Sequence, residues 1–313
     1  MLPFLPAHRL AARAEEQRWL VEGLWADEAV GIVGGEPKCC KSFLALDMAV
    51  AVATGRPCLR HFPVSKPGRV LLFAAEDALH VVRHRLEGIC RAAGAALANV
   101  DVQVITAPSV RLDLESDRKA LADTIVELQP RLLVLDPFVR LHRIDENVSG
   151  EVAPLLAFLR ELQRRHHLAV LLVHHARKGG AKMRAGQALR GSSEFHAWGD
   201  SNLYLRRHGE QLTLSVEHRA APSIPNISLQ LTDTDDAIAL TIAERRPVSP
   251  APETTTVAQK IEQHLATATT PLSLSQLREL CRTRNATVVT TLAVLSAAGR
   301  ITKTAAGYAL SRR

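Results

Sequence analysis

The sequence predicts an α/β chain: a doubly wound, mainly parallel sheet with antiparallel strands at one edge, followed by a small basic C-terminal domain. Three observations predict it. Short apolar runs alternate with helical stretches through the first 200 residues, the signature of β-α-β units. After Gly199 the pattern changes to closely spaced alternating strands. A proline-bearing break at 246–254 then separates this region from a compact three-helix pattern.

In order along the chain, residues 29–33, 69–73, 102–105, 132–135 and 168–173 read as strands rich in Val and Leu on consecutive positions. Continuous apolar runs of this length suit strands buried on both faces of a parallel sheet. Helices are expected at 41–54, 78–93, 115–128 and 150–165. Strands near 203–205, 212–216, 227–231 and 238–242 extend the sheet antiparallel at one edge. Residues 246–253 hold three prolines without periodicity and read as a linker. Beyond it, helices are expected at 256–266, 273–281 (with Ser273 at its start) and 285–298. Gly299 fits the stop of the last, and a hairpin is expected around Gly307. Helix, helix, helix, hairpin is the order of a winged helix. The domains expected are therefore 1–245, a linker at 246–254, and 255–313.

At 313 residues the chain is long enough for one large domain and an appendage. Aromatic residues are only 4%, so the core must rest on aliphatic side chains. No run approaches the roughly 20 apolar residues of a membrane span, and the N-terminus lacks a signal pattern. Five cysteines without a CxxC pair give no zinc framework, and the expected compartment is the reducing cytoplasm. The net charge of +7 is uneven: residues 255–313 hold eight basic and two acidic side chains, or +6, leaving about +1 for the rest. Such asymmetry fits a nucleic-acid-facing appendage, and equally a solvated basic surface.

The strongest motif is the strand 29–33 followed by Gly35-Glu36-Pro37-Lys38-Cys39-Cys40-Lys41-Ser42-Phe43 and a helix. A phosphate chain needs backbone N–H groups converging at a helix N-terminus, a lysine for its terminal phosphates and a hydroxyl for Mg2+. Lys41 and Ser42 hold those last two places. Cys40 stands where a glycine normally precedes the lysine, so its side chain crowds the loop or demands an unfavourable φ. Glu76-Asp77 follows the second strand and falls beside this loop in a doubly wound sheet. One of the two carboxylates there can orient an attacking water, while Asp77 also reads as a helix N-cap. The apolar strand ending in Asp136, 95 residues after Lys41, has the Walker B pattern of a carboxylate that holds Mg2+ through water. His174-His175 ends another strand, where a polar group can touch the terminal phosphate. No carboxylate or cysteine lies at ligand spacing from the pair, which argues against a metal site. The loop that follows, 176–191, holds Arg177, Lys178, Lys182, Arg184 and Arg190 with four glycines and no acid. It reads as a nucleic-acid backbone contact or as a solvated loop.

These pieces resemble, together and in order, the RepA-type hexameric replicative helicases, relatives of the DnaB and RecA-like P-loop ATPases. The matching residues are Gly35–Ser42 with Phe43-Leu-Ala-Leu-Asp, Ala74-Ala-Glu76-Asp77, and Val134-Leu-Asp136-x-x-x-Arg140-x-His142 with Asp145-Glu-Asn-x-Ser-Gly150. Val173-His-His-Ala-x-Lys178-Gly and Leu189-Arg190-Gly-Ser-Ser193 complete the set. The resemblance covers about residues 15–245, and the tail lies outside it. It implies a RecA-like fold, ATP and Mg2+ as cofactors, and a homo-oligomeric ring with ATP between subunits. By the same resemblance Lys41 and Ser42 bind phosphate and Mg2+, Glu76 is the catalytic base, Asp136 is the Mg2+-side carboxylate and His175 is the γ-phosphate sensor. It also implies an arginine supplied across the interface. Arg190 is one candidate. Arg219, in Val216-Glu-His-Arg219, is another, although Glu217 stands where the Lys-x-Arg finger of related helicases has its lysine.

Two functions follow. One is an ATP-driven DNA motor of a plasmid or other mobile element, with Lys178, Lys182 and Arg184 on single-stranded DNA in the ring. In it Arg282, Arg284 and Lys303 of the tail contact duplex DNA or a replication partner. The other is a non-motor protein whose assembly ATP switches, such as a DNA-binding regulator or recombination accessory. The third tail helix has few base-reading side chains, so little sequence specificity is expected from it.

Overall fold

The computed structural model describes residues 1, 3–10, 18–175, 194–234, 237–243, 257–281, 283 and 285–311. Its chain divides into two compact units, Met1–Arg245 and Arg246–Arg313.

The first unit opens with a short antiparallel pair, β1 (Trp19–Val21) and β2 (Trp25–Ala26), turned at Gly23 with φ +69°. It continues as β3 (Val30–Gly35), α1 (Lys41–Thr54), β4 (Val70–Ala74), α2 (Leu79–Ala92), β5 (Val102–Val104), α3 (Glu115–Leu128), β6 (Leu132–Asp136), α4 (Ser149–His166) and β7 (Ala169–His175). A short helix α5 (Glu194–Trp198) precedes β8 (Ser201–His208), β9 (Gln211–His218), β10 (Ile224–Thr234) and β11 (Ala237–Ile242). One nine-stranded sheet results, in the order β11-β10-β9-β8-β3-β7-β6-β4-β5. Every pair from β8 to β5 is parallel, and β8-β9-β10-β11 is an antiparallel meander. The expected antiparallel edge is therefore present. β1, β2 and α5 lie outside the expected elements because each is too short to show a period.

The pleat sends alternate residues to two cores. Val33, Leu132, Val134, Leu171, Val173, Leu203 and Leu205 face the α1 and α2 side. Val30, Ile32, Leu133, Leu135, Val170, Leu172 and Tyr204 face the α3 and α4 side. The apolar strand runs are continuous because both faces are covered. Gly31 marks a close approach: a Cβ there would lie 1.7 Å from the Ser201 carbonyl oxygen. Only glycine lets β3 sit this tightly against β8.

One detail differs from the sequence-based expectation, and another, the hairpin around Gly307, is present with its turn now placed. Asp77 does not cap α2, whose N-cap is Ala78 without a side-chain bond; Asp77 instead pairs with Arg85. In the tail, the hairpin turns at residues 305–306, and Gly307 is the first residue of the returning strand. A Cβ at Gly307 would lie 2.5 Å from the Leu272 carbonyl oxygen, so its small size serves that pairing.

The second unit contains α6 (Val257–Thr267), α7 (Leu274–Cys281) and α8 (Asn285–Ala297), then β12 (Ile301–Thr304) and β13 (Gly307–Leu310). Ile261, Leu277, Val288, Leu292, Leu295 and Ile301 form its own core. Ser273 and Gln276 form a reciprocal capping box at α7: the Gln276 amide donates to Ser273 Oγ (3.3 Å) and the Ser273 amide to Gln276 Oε1 (2.8 Å). Gly299, at φ +64°, ends α8 as expected. Residues 246–254 lie outside the described residues. Among the described residues, no helix is long and apolar enough to cross a membrane.

Candidate phosphate-binding site

Parallel registry brings four strand ends together. Gly35 of β3 lies beside His175 of β7, and Ala74 of β4 beside Asp136 of β6. Chains leaving these ends enclose a cavity of about 380 Å³, lined among others by Lys38, Cys40, Lys41, Ser42, Phe43, Glu76, Arg85, Asp136 and His175. It sits at the carboxyl ends of the strands, where doubly wound sheets bind ligands.

The loop between β3 and α1 is built around two non-glycine residues in the left-handed region. Lys38 and Cys40 each have φ +64°, and Cys40 is the N-cap of α1. The expected strain at Cys40 is thus present, at about 1–2 kcal/mol for a residue bearing a Cβ. Left-handed residues within a tight loop turn successive N–H groups inward and create an anion-binding concavity. The Glu36 carbonyl ties the loop from inside, accepting from Lys41 Nζ (2.8 Å) and from the Cys39 thiol (2.8 Å). Burial pushes the Cys39 thiol up, against the pull of Lys41, so it remains a neutral donor. Gly35 is needed here too, since a Cβ would lie 2.6 Å from Cys39 Sγ. Pro37 is part of the cavity wall.

Asp136 is almost wholly buried and hydrogen-bonded to the Ser42 hydroxyl. Burial pushes its carboxyl up to about 6, with Asp77 and Glu76 adding to the rise while Ser42 and Lys41 oppose it. An acid held against a hydroxyl at the foot of the loop is a pair of hard oxygen donors, the kind Mg2+ takes together with phosphate oxygens. Nothing in this donor set conflicts with Mg2+ and a triphosphate.

Glu76, half-exposed at the rim, pairs with Arg140 Nε (2.8 Å). Arg85 pairs with Asp77, and its guanidinium lies 5.2 Å from the Phe43 ring centroid. The pleat separates the two histidines of β7. His175 follows Val173 on the α1 face and lines the cavity, while His174 is buried on the other face, stacked on Phe195 at 4.2 Å.

Arg219 lies elsewhere. Antiparallel β9 carries it to the opposite end of the sheet, where its guanidinium contacts Asp200 (3.4 Å) and the Ala197 carbonyl. Lys303 is exposed on β12 of the second unit. Lys178, Lys182, Arg184 and Arg190, and in the tail Arg282 and Arg284, lie outside the described residues. Arg85 and Arg207 reach the phosphate loop without a sequence signal read in advance. The Arg206-Arg207 doublet at the end of a strand beside β3 is the signal that could have found the second.

Residues 1–181 match the family described as AAA domain. The chain belongs to the AAA domain family. Among solved structures, the chain is similar to the ATPase domain of another protein, at 12% identity and TM-score 0.54, covering 70% of this chain and 87% of that one. It is similar as well to the RadB recombinase, at 14% identity and TM-score 0.51, covering 70% of this chain and 92% of that one. At these identities the likeness concerns the fold, which is RecA-like, with a mostly parallel sheet between helical layers.

Proposed function

We propose that this chain binds ATP with Mg2+ at the loop 35–43 and hydrolyses it to drive movement on DNA as a homo-oligomeric, hexameric ring. The observation that supports it most is the meeting of Lys41, Ser42, Asp136, Glu76 and His175 around one cavity, from four separate strand ends. In this reading Lys41 leaves the Glu36 carbonyl to reach the terminal phosphates, and inward N–H groups of the loop hold the rest of the chain. Ser42 and Asp136 hold Mg2+, whose charge offsets that of the phosphates. Glu76 orients the attacking water once Arg140 releases it, and His175 senses the terminal phosphate.

Arg219 does not reach its own cavity, so any role in hydrolysis is exerted on a neighbouring subunit; Arg190 is the alternative. Single-stranded DNA is assigned to Lys178, Lys182 and Arg184. A winged-helix role for the second unit, with Lys303, Arg282 and Arg284 toward duplex DNA, rests on its order of elements and its +6 charge. The likeness to a solved ATPase domain and to the RadB recombinase supports a DNA-associated ATPase. A helicase of a plasmid or other mobile element, working in the cytoplasm, is the specific form proposed; all five cysteines are free thiols.

A second reading is favoured by the strained Cys40 and by the tie of Glu76 to Arg140, both of which would oppose hydrolysis in this reading. In it ATP switches assembly of a DNA-binding regulator or recombination accessory without stepping. ATP turnover with and without single-stranded DNA, for wild type and Lys41→Ala, separates the two. DNA-stimulated turnover abolished in the variant supports the motor. Wild-type turnover equal to that of the variant under both conditions, with ATP still bound, leaves the switch.

A further inference from the structure

We infer that Arg207 is a positioning residue for the phosphate loop, holding the two left-handed residues that a glycine-rich loop would leave to the backbone. The inference rests on the nucleotide-binding reading of that loop and adds a residue to it.

The placement follows from registry. Gly35 of β3 pairs with Leu205 of β8, so two residues beyond Leu205 the strand passes alongside the loop leaving Gly35. Leu203 and Leu205 face α1, and the period of two puts Arg207 on the same side. Its guanidinium then makes two contacts: Nε donates to the Lys38 carbonyl (3.2 Å) and Nη2 to Cys40 Sγ (3.4 Å). Lys38 and Cys40 are also the loop's two residues at φ +64°. One planar fork therefore grips both strained positions from a strand that is itself fixed in the sheet.

A Cβ in the left-handed region makes relaxation of the loop favourable, and relaxation would turn the N–H groups away from the phosphate. Glycine at position 40 would remove that tendency and also the sulfur that Arg207 holds. The side chain that strains the loop thus supplies the handle by which the strain is held. Arg207 acts on ATP through the loop's shape, and its effect must depend on what stands at position 40.

The test is a double-mutant cycle of Arg207→Ala and Cys40→Gly, read by ATP affinity and by amide hydrogen exchange of residues 36–40 in nucleotide-free protein. Arg207 is exposed, so Arg207→Ala is expected to weaken ATP binding about fivefold, the upper range for an exposed charged contact. Loop exchange should rise by a similar factor. In the Cys40→Gly background both effects should shrink to less than about twofold. Equal effects in the two backgrounds would assign Arg207 to the phosphates directly and overturn the inference, as would Arg207→Lys at wild-type affinity, which keeps charge without the fork. Unchanged loop exchange in folded Arg207→Ala overturns it without reference to nucleotide. Failure of wild type to bind ATP, with loop exchange behaving as described, would instead strike the nucleotide reading alone.

Discussion

Asp136 is buried at the end of β6, in the wall of the cavity, with its carboxyl pushed up to about 6. Its folded value lies above the ordinary one of 3.8, so the native state binds a proton more tightly than the unfolded chain does. Stability from this group is fully present below about pH 4 and is lost as pH rises through about 6. Asp136→Asn should therefore raise the melting temperature of nucleotide-free protein at pH 8 and leave it nearly unchanged at pH 4. Under the proposed function the same titration would govern Mg2+, which would need the ionised form. Mg2+-dependent ATP binding should fall as pH drops through about 6 in wild type. An equally steep fall in Asp136→Asn would show that another group is responsible. Cys40→Gly relieves a left-handed Cβ and should stabilise the fold by about 1 kcal/mol in chemical denaturation, with turnover kept or raised. Alkylation of the Cys39-Cys40 pair should lower nucleotide affinity.

At the level of elements, β3 and β8 depend on Gly31. A methyl group there meets the Ser201 carbonyl oxygen, and backbone cannot move aside as a flexible side chain can. Gly31→Ala should cost at least about 3 kcal/mol, measured by denaturant midpoint, as a severe overpacking of a closed core. Ser273→Ala removes half of the capping box of α7 and should cost the second unit about 1 kcal/mol. The parallel strands were legible in the sequence because burial on both faces leaves continuous Val and Leu runs. The loop 35–43 was legible as a strand–turn–helix junction because an apolar run ends at a glycine pair and a helical stretch begins at Lys41. Asp77 was not: an acid before a helix fits a cap, and only the fold shows Arg85 one helical face away. Nor was Arg207, whose partners are a backbone oxygen and a sulfur 169 and 167 residues distant. Contacts of this kind depend on strand registry, which local patterns do not encode. For β7 the paired histidines were visible, but which one faces the cavity follows from the pleat.

For the whole molecule, each of the two units has its own core. Residues 1–245 expressed alone should keep the melting transition attributed to them in the full chain; a lost or strongly lowered transition would show that the second unit is needed for folding. Removing 246–313 should weaken duplex DNA binding and flatten its dependence on salt. Unchanged affinity across a salt series would give the tail to a protein partner. Helix α8 has no charged residue, so any ion-pair contact of the tail with a DNA phosphate must come from outside it.

The adjacent histidines of β7 bear on which changes of chain length this sheet can accept. A residue inserted or removed within the strand would slide the pair by one place and exchange their sides, so that only one of the two places, the cavity or the stack on Phe195, would keep an imidazole. The meander β8-β9 has its turn at Gly209, where a Cβ would meet nothing within 4 Å, and an added residue there is absorbed by solvent. Natural variation in length among related chains should therefore collect at that turn and spare the stretch from Ala169 to His175.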